Sequence, residues 1–210
     1  MAQLTGNDIL ARCLKAQSVK DMFFLMGGPM LDAETACIDE GIRLIDTRHE
    51  QGAAYMAQAY SRVTQGPGVC MAASGPATLN LGTGLANALI DCCPVVALGG
   101  SSPIGQFGRQ VFQEIDQVKA LEGCVKYVDR VHNLKRLPQQ INFAFQKALN
   151  GKPGPVYLDF PGDVLYTSVD EADVDWSYMS RPIASRIAST SAFSAFGSAY
   201  GRALTIGRPM

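Results

Sequence analysis

The 210-residue sequence lacks several patterns that would assign it to a broad class of protein. No apolar run reaches the roughly 18 residues of a membrane-spanning helix, and the first residues show no basic-then-apolar secretory signal. Its 18 basic and 19 acidic residues nearly cancel, so no net field attracts nucleic acid or an anionic membrane. These absences predict a cytoplasmic protein without a nucleic-acid or membrane partner.

Several common site motifs are also missing. The sequence has no G-x-G-x-x-G after its first predicted strand, no P-loop and no G-x-S-x-G, so conventional dinucleotide, P-loop and nucleophile-elbow sites are unsupported. Two histidines cannot form a three-histidine metal site, and His132 lies in a basic stretch expected at the surface. The six cysteines form no C-x-x-C pair and lie in apolar runs, so we expect them to be buried and reduced.

Acidic residues are absent from the end of the chain. All 19 lie at or before Asp175, whereas residues 177–210 contain four Arg and seven Ser. This break predicts two regions. The first is an α/β domain at residues 1–170. The second, at residues 171–210, is a mostly irregular and poorly ordered linker that enters the truncated start of a further domain.

Short apolar segments alternate with helical segments along the first 165 residues. The predicted strands are 22–26, 42–45, 69–73, 94–98, 125–128 and 155–159. The predicted helices are 6–17, 31–39, 51–62, 78–90, 114–122 and 138–149. This alternation is typical of an α/β fold whose parallel sheet carries helices on both faces.

Three glycine-containing segments, at residues 27–29, 74–76 and 99–102, directly follow predicted strands. Each could be no more than a tight turn. Ligands of parallel sheets, however, bind beyond the carboxyl ends of the strands. Because all three segments should lie on that one rim, together they favour a binding site there.

The segment 46–54 places four polar or charged residues between a predicted strand and an Ala-rich helix. In one interpretation, Glu50 is a carboxylate favoured by the helix dipole. The small residues that follow it suggest close packing instead, and a buried carboxylate can exchange protons near neutral pH. The residues alone leave both interpretations open.

Residues 48–57 closely resemble the R-H-E-Q-x-A-x-x-M-A motif of thiamine-diphosphate-dependent enzymes of the acetolactate synthase and pyruvate oxidase type. Residues 74–88 are similar to S-G-P-G-A-T-N-L-x-T-G-x-A-x-A, residues 112–116 to F-Q-E-x-D, and residues 152–164 to G-R-P-G-P-V-x-L-x-I-P-x-D-V. The matches keep their order and spacing from about residue 5 to 165. The resemblance therefore implies the pyrimidine-binding domain and the thiamine-diphosphate-binding fold of this family.

The resemblance also implies roles for individual residues. Glu50 matches the glutamate that hydrogen-bonds the aminopyrimidine ring, favouring the tautomer whose exocyclic nitrogen takes the proton from thiazolium C2. Gln113 matches a polar residue that points toward the reacting substrate. The cofactor-binding residues implied in addition to Glu50 are Gly27, Gly28, Ser74, Gly75, Pro76 and Asn80.

Two departures from the family pattern matter. Ala77 stands where the family usually has Gly, which puts the shape of that turn in doubt. The G-D-G and N-N residues that hold Mg²⁺ and the diphosphate in this family are missing. The resemblance then implies half a cofactor site, with a homodimer or a separate diphosphate-binding chain supplying the rest, and a chain that is inactive alone.

The resemblance leaves several functions open. The first is part of a 2-oxoacid carboligase or decarboxylase similar to acetolactate synthase. The second is part of a 2-hydroxyacyl-CoA or oxalyl-CoA lyase, because residues 99–102 and 112–114 resemble that branch as well. The others are a subunit of a split decarboxylase and a non-catalytic dimerisation module. The substrate would be a small 2-oxoacid or an acyl-CoA.

Overall fold

The computed structural model describes residues 2–179. Its strands are β1 (Gln3–Thr5), β2 (Asp21–Phe24), β3 (Arg43–Asp46), β4 (Gly68–Ala72), β5 (Val95–Ser101), β6 (Tyr127–Arg130), β7 (Val156–Pro161) and β8 (Ser168–Asp170). Its α-helices are α1 (Gly6–Ala16), α2 (Leu31–Asp39), α3 (Glu50–Thr64), α4 (Pro76–Asn80), α5 (Gly82–Ile90), α6 (Gln117–Leu121), α7 (Leu137–Leu149) and α8 (Gly162–Tyr166).

Six strands form one parallel sheet in the order β3-β2-β4-β5-β7-β6, and β1 pairs antiparallel with β8 in a separate two-stranded sheet. The predicted α/β fold with a parallel sheet is thereby confirmed. Parallel neighbours require crossover connections, and the helices provide them. The two short strands β1 and β8 were not predicted, because three residues show too little periodicity.

Helices cover both faces of the sheet, as predicted. Alternate strand residues point to opposite sides, so Val96 and Leu98 pack with α1 and α7 in one core, while Val95 and Ala97 pack with α3 and α5 in the other. Every residue of β4, β5 and β7 is buried. That burial explains why these strands are continuous apolar runs in the sequence.

Local sequence signals account for where two of the helices begin. Thr5 and Asp8 form a capping box at the start of α1, in which the Thr5 hydroxyl accepts from the Asp8 backbone N–H at 3.2 Å. His49 caps α3, its Nδ1 accepting from the Gln51 backbone N–H at 3.2 Å. Glu50 is therefore the first residue of α3.

The elements differ most from the prediction in four places. The predicted helix 78–90 is two helices, α4 and α5. Strand β5 continues through Ser101, since Gly99 and Gly100 pair with Asp159 and Phe160 of β7. Strand β6 lies two residues later than predicted. Helix α6 begins only at Gln117, because the Glu114 carboxylate accepts from the loop backbone N–H groups of Gly108 and Val111.

Residues 171–179 form two short 3-10 helices, Glu171–Asp173 and Trp176–Met179, and the second packs against α7. The predicted domain boundary at residue 170 stays a prediction. The predicted irregular tail lies largely outside the described residues. Among residues 2–179, no helix is long and apolar enough to cross a bilayer.

Candidate functional site

The three glycine-containing segments converge at the carboxyl ends of the parallel strands. A Cβ placed on Gly27 would lie 3.2 Å from the Cβ of Ala73, so the loop after β2 touches the loop after β4. A Cβ on Gly100 would lie only 2.4 Å from the Cγ of Pro29. The predicted common rim is therefore present, and its close packing requires residues without side chains.

Gly75 forms the turn from β4 into helix α4. Its backbone has φ 57° and ψ −116°, a conformation that favours glycine, and a Cβ there would lie 2.3 Å from the Gln113 carbonyl oxygen. Ala77 lies inside α4 and is not among the residues with positive φ. The alanine at position 77 therefore leaves the turn unstrained, because the left-handed residue is Gly75.

Ser74 and Gln113 are in direct contact. The Ser74 hydroxyl donates to Oε1 of Gln113 at 2.8 Å, although the residues are 39 positions apart. Gln113 has a positive φ of 58° in the loop between β5 and α6. Two residues predicted for the site from separate motifs thus meet, and the contact places the 108–116 loop over the end of β4.

Glu50 is 8% exposed, and its Oε2 accepts a hydrogen bond from Nδ2 of Asn80 at 3.0 Å. Glu50 lies in the first turn of α3, where the helix dipole favours a carboxylate, and it is also buried. Its exchange of protons stays a prediction. Asn80 ends the short helix α4 that begins at Pro76, about 6 Å away along the helix axis. Helix α4 therefore connects the Glu50 carboxylate to the Ser74–Gly75–Pro76 loop.

A buried polar network lies beneath that loop. Gln117 is 1% exposed; its Oε1 accepts from the Gly75 backbone N–H at 2.8 Å, and its Nε2 donates to Oδ1 of Asp159 at 2.6 Å. Asp159 is fully buried and pairs with Arg130, with 2.5 Å between Oδ2 and Nε. The Tyr157 hydroxyl also donates to Asp159, at 2.9 Å. Burial raises the pKa of Tyr157 well above its usual value, and the Asp159 carboxylate raises it further.

Glu34 is a second buried carboxyl group close to the rim. It is 3% exposed, and its Oε1 has no hydrogen-bond partner. Burial raises the pKa of Glu34 to about 7; a hydrogen bond from the Gly27 backbone opposes the rise, and the Asp46 carboxylate adds to it. Glu34 is therefore poised between its neutral and charged forms near neutral pH.

The structure brings the predicted site residues together in two groups. Gly27, Gly28, Ser74, Gly75, Pro76 and Gln113 lie around the glycine rim, whereas Glu50 and Asn80 form a pair at the far end of α4. Within residues 2–179, no hydrogen bond joins Glu50 directly to Ser74 or Gln113. Whether these residues act on a cofactor or substrate stays a prediction.

Sequence reasoning missed Gln117, Glu34 and the role of Asp159. Gln117 opens a helix and Glu34 lies within one, so each resembles a solvated surface residue. Their partners are loop, strand and backbone groups far apart in the chain, and no local spacing reveals them. The apolar strand around Asp159 was the one available signal, since a buried carboxylate there needs partners.

The histidines and cysteines give no sign of a metal site. Within the described part of the chain, no three His, Cys, Asp or Glu residues are grouped so that they could hold a metal ion. His132 is exposed, as expected. All six cysteines are free; four are buried as predicted, but Cys92 and Cys124 are only half-buried.

Comparison with known families gives one match. The sequence profile of "Thiamine pyrophosphate enzyme, N-terminal TPP binding domain" matches residues 4–120, which is more than half of the chain. The match includes Glu50, the glycine rim, Gln113 and Gln117. It ends before β7, so Asp159 lies outside the matched range.

Similar sequences with curated descriptions fall into two groups. The chain is 40% identical over 167 residues to the acetolactate synthase isozyme 2 large subunit of Escherichia coli, an alignment that covers 80% of this chain and 30% of that protein. It is 34% identical over 196 residues to mouse 2-hydroxyacyl-CoA lyase 1, covering 93% of this chain and 34% of that protein. The chain thus spans about a third of the length of these relatives.

Proposed function

This chain belongs to the thiamine pyrophosphate enzyme family, and we propose that it binds the aminopyrimidine end of thiamine diphosphate. The observation that carries the proposal is the buried Glu50 carboxylate at the start of α3, linked by Asn80 and α4 to the glycine-rich rim. In this role the protonated carboxyl group donates a hydrogen bond to the pyrimidine ring nitrogen. The family match and the resemblance of residues 48–57 support the assignment.

The residues at the rim fit a flat heteroaromatic ring. Gly27 and Gly28 leave one wall without side chains, while Ser74 and Gln113 supply polar groups. The absence of a side chain at Gly75 lets the backbone of Gln113 approach closely, which brings Gln113 to the rim. In the proposal, Gly27, Gly28, Ser74, Gly75 and Pro76 hold the ring, and Asn80 orients Glu50.

The proposed chemistry divides between the cofactor and the chain. When bound, thiamine diphosphate supplies an electron sink for cleaving or forming a bond beside a carbonyl carbon. Glu50 holds and returns a proton at the pyrimidine ring nitrogen, and its burial keeps water from competing for that proton. Gln113 is proposed to orient the substrate next to the ring.

We further propose that this chain supplies only the pyrimidine half of the site. A homodimer or a separate diphosphate-binding chain would supply the Mg²⁺ and diphosphate contacts. The solvent-facing side of α3 supports a packed partner, since Tyr55, Met56 and Val63 are 39%, 44% and 84% exposed. Sedimentation equilibrium should therefore detect self-association or binding of a diphosphate-binding chain; a monomer that binds neither would contradict this proposal.

The reaction proposed first is that of a 2-oxoacid carboligase or decarboxylase similar to acetolactate synthase, in line with the 40% identity to the E. coli relative. A 2-hydroxyacyl-CoA lyase is the second candidate, because the match to the mouse lyase covers 93% of the chain. With the diphosphate half supplied, consumption of pyruvate would favour the first, and cleavage of a 2-hydroxyacyl-CoA would favour the second. Lack of either activity in an assembled complex would favour a non-catalytic pairing module.

The half-site proposal predicts how the chain distinguishes cofactor fragments. The isolated chain should bind thiamine and thiamine diphosphate with similar, weak affinity and should be indifferent to Mg²⁺, as measured by isothermal titration. Tight, Mg²⁺-dependent binding of thiamine diphosphate by the chain alone would overturn the half-site proposal. That result would not contradict the proposal that the chain binds the pyrimidine ring.

The proton role of Glu50 predicts the effect of Glu50→Gln. Exchange of the thiazolium C2 proton for deuterium, followed by NMR at saturating cofactor, should slow by about 100-fold or more, the usual range for a lost acid–base group. Glu122→Gln is the matched control, because Glu122 is an exposed carboxylate at the end of α6. Equal exchange rates in the two variants would refute the role of Glu50.

A further inference from the structure

We propose that Gln117 is a positioning residue, which holds the Ser74–Gly75–Pro76 loop in the shape that the pyrimidine site needs. The inference rests on the proposed function, since the loop matters only if it borders the cofactor. Gln117 does not touch Glu50, Ser74 or Gln113 in the hydrogen bonds of the described residues. Its effect on the site would therefore pass through the Gly75 backbone.

The orientation of the Gln117 amide is set at both ends. The Gly75 backbone N–H can only donate, so the atom facing it at 2.8 Å must be the carbonyl oxygen Oε1. The Asp159 carboxylate can accept, so the amide nitrogen Nε2 faces it at 2.6 Å and also donates to the Gly100 carbonyl oxygen at 2.7 Å. Nε2 also lies 2.7 Å from the Tyr157 hydroxyl oxygen. The partners at the two ends therefore fix which way round the amide is placed.

The Gly75 turn depends on this acceptor. Gly75 is buried and precedes the first turn of α4, where its N–H has no helical partner. An unpaired buried N–H is costly, and the φ 57° and ψ −116° backbone is itself sparsely populated. Without Gln117, the loop could satisfy its N–H by moving toward water, which would displace Ser74.

The other end of Gln117 is anchored to the sheet. Asp159 belongs to β7, is fully buried, and is held by Arg130, by the Ser101 hydroxyl at 2.9 Å and by the Tyr157 hydroxyl. These partners come from β5, β6 and β7, so the carboxylate is fixed to three neighbouring strands. Gln117 therefore ties the position of the Ser74–Gly75–Pro76 loop to the sheet, and not to the exposed 108–116 segment.

Gln117→Leu in the full chain tests the inference, with thiamine diphosphate and Mg²⁺ as the probe in isothermal titration. We expect affinity to fall about fivefold to tenfold, the scale of one ordinary hydrogen bond. Gln58→Leu is the matched control. Gln58 is also buried and bonded to a carboxylate, that of Asp91 at 2.8 Å, but it lies two turns beyond Glu50 on α3. Equal affinity losses in the two variants would overturn the inference.

Gln117→Glu keeps the size of the side chain and tests the donor to Asp159. The ionised carboxyl group would face the Asp159 carboxylate beside the Tyr157 hydroxyl, with Arg130 on the far side of Asp159. Protonation at lower pH restores a donor toward Asp159 and keeps an acceptor for Gly75. Affinity relative to the wild type at the same pH should therefore recover as pH falls; a constant ratio across pH would count against the positioning role.

Amide hydrogen exchange separates failure of this inference from failure of the proposed function. The Gly75 N–H should exchange at least about tenfold faster in Gln117→Leu, while the Val69 amide in β4 should be unchanged. If the wild-type chain does not bind the probe, the proposed function fails, yet faster Gly75 exchange still supports the positioning of the loop. Unchanged Gly75 exchange overturns the inference. If the leucine variant does not fold, the pH dependence of affinity in Gln117→Glu still tests the positioning role.

Discussion

Gly75→Ala tests whether the turn after β4 is as constrained as the structure indicates. An L-residue with positive φ costs about 1–2 kcal/mol per position. The added Cβ would also lie 2.3 Å from the Gln113 carbonyl oxygen and 3.0 Å from the Gln113 Cβ, so the 108–116 loop must shift by about 1 Å. Such overpacking costs a further 1–3 kcal/mol or so, giving about 2–5 kcal/mol in all.

Gly151→Ala is the control for this variant. Gly151 also has a positive φ, 63°, but no atom lies within 4 Å of a Cβ placed there. Its alanine variant should lose only the backbone contribution, about 1–2 kcal/mol. The free energy of unfolding is measured by urea denaturation with circular dichroism, provided that the m-value is unchanged. A loss in Gly75→Ala no larger than that in Gly151→Ala would refute the close contact with Gln113.

Two further predictions concern buried titratable groups. Because the pKa of Glu34 rises from 4.5 to about 7 on folding, the unfolded chain binds fewer protons between these values, and stability falls as pH rises through them. Between pH 5 and pH 8, the free energy of unfolding of Glu34→Gln should therefore rise by about 2–3 kcal/mol relative to that of the wild type, as measured by urea denaturation. The control Asp39→Asn, at an exposed site, should show no such change. Parallel pH curves for all three proteins would contradict the prediction. Burial raises the pKa of the Cys70 thiol to about 12. Alkylation of the native protein, followed by mass spectrometry, should therefore label the half-buried Cys92 long before Cys70. Equal labelling rates would show that the core around Cys70 opens.

Much of the fold was predictable because its signals are local. Continuous apolar strands such as β4 and β7 are a direct consequence of burial on both faces, and the Ala-rich face of α3 indicated close packing. The boundaries that failed depend on distant partners. Gly99 and Gly100 look like a turn in the sequence, yet β7 pairs with them and keeps them in the strand.

The candidate site divides in the same way. The resemblance of the motifs identified Glu50 and the glycine rim, and the convergence of the rim follows from parallel topology, so both were available before the structure. The contact between Ser74 and Gln113 spans 39 positions and was not predicted. The order of the motifs could indicate that both residues belong to a site. It could not show that the Ser74 hydroxyl donates a hydrogen bond to the Gln113 side-chain amide.

The sequence by itself determined the alternation of strands and helices, the parallel sheet and the rim at which its glycines meet, because each follows from local burial, chain geometry and short-range turn chemistry. Only the tertiary structure decided how that rim is held. Gln117, Asp159 and Arg130 come from α6, β7 and β6, and they meet because the sheet order places β7 between β5 and β6. A buried polar group is stabilised by partners that folding brings from elsewhere in the chain, so its role cannot be inferred from its neighbours in sequence.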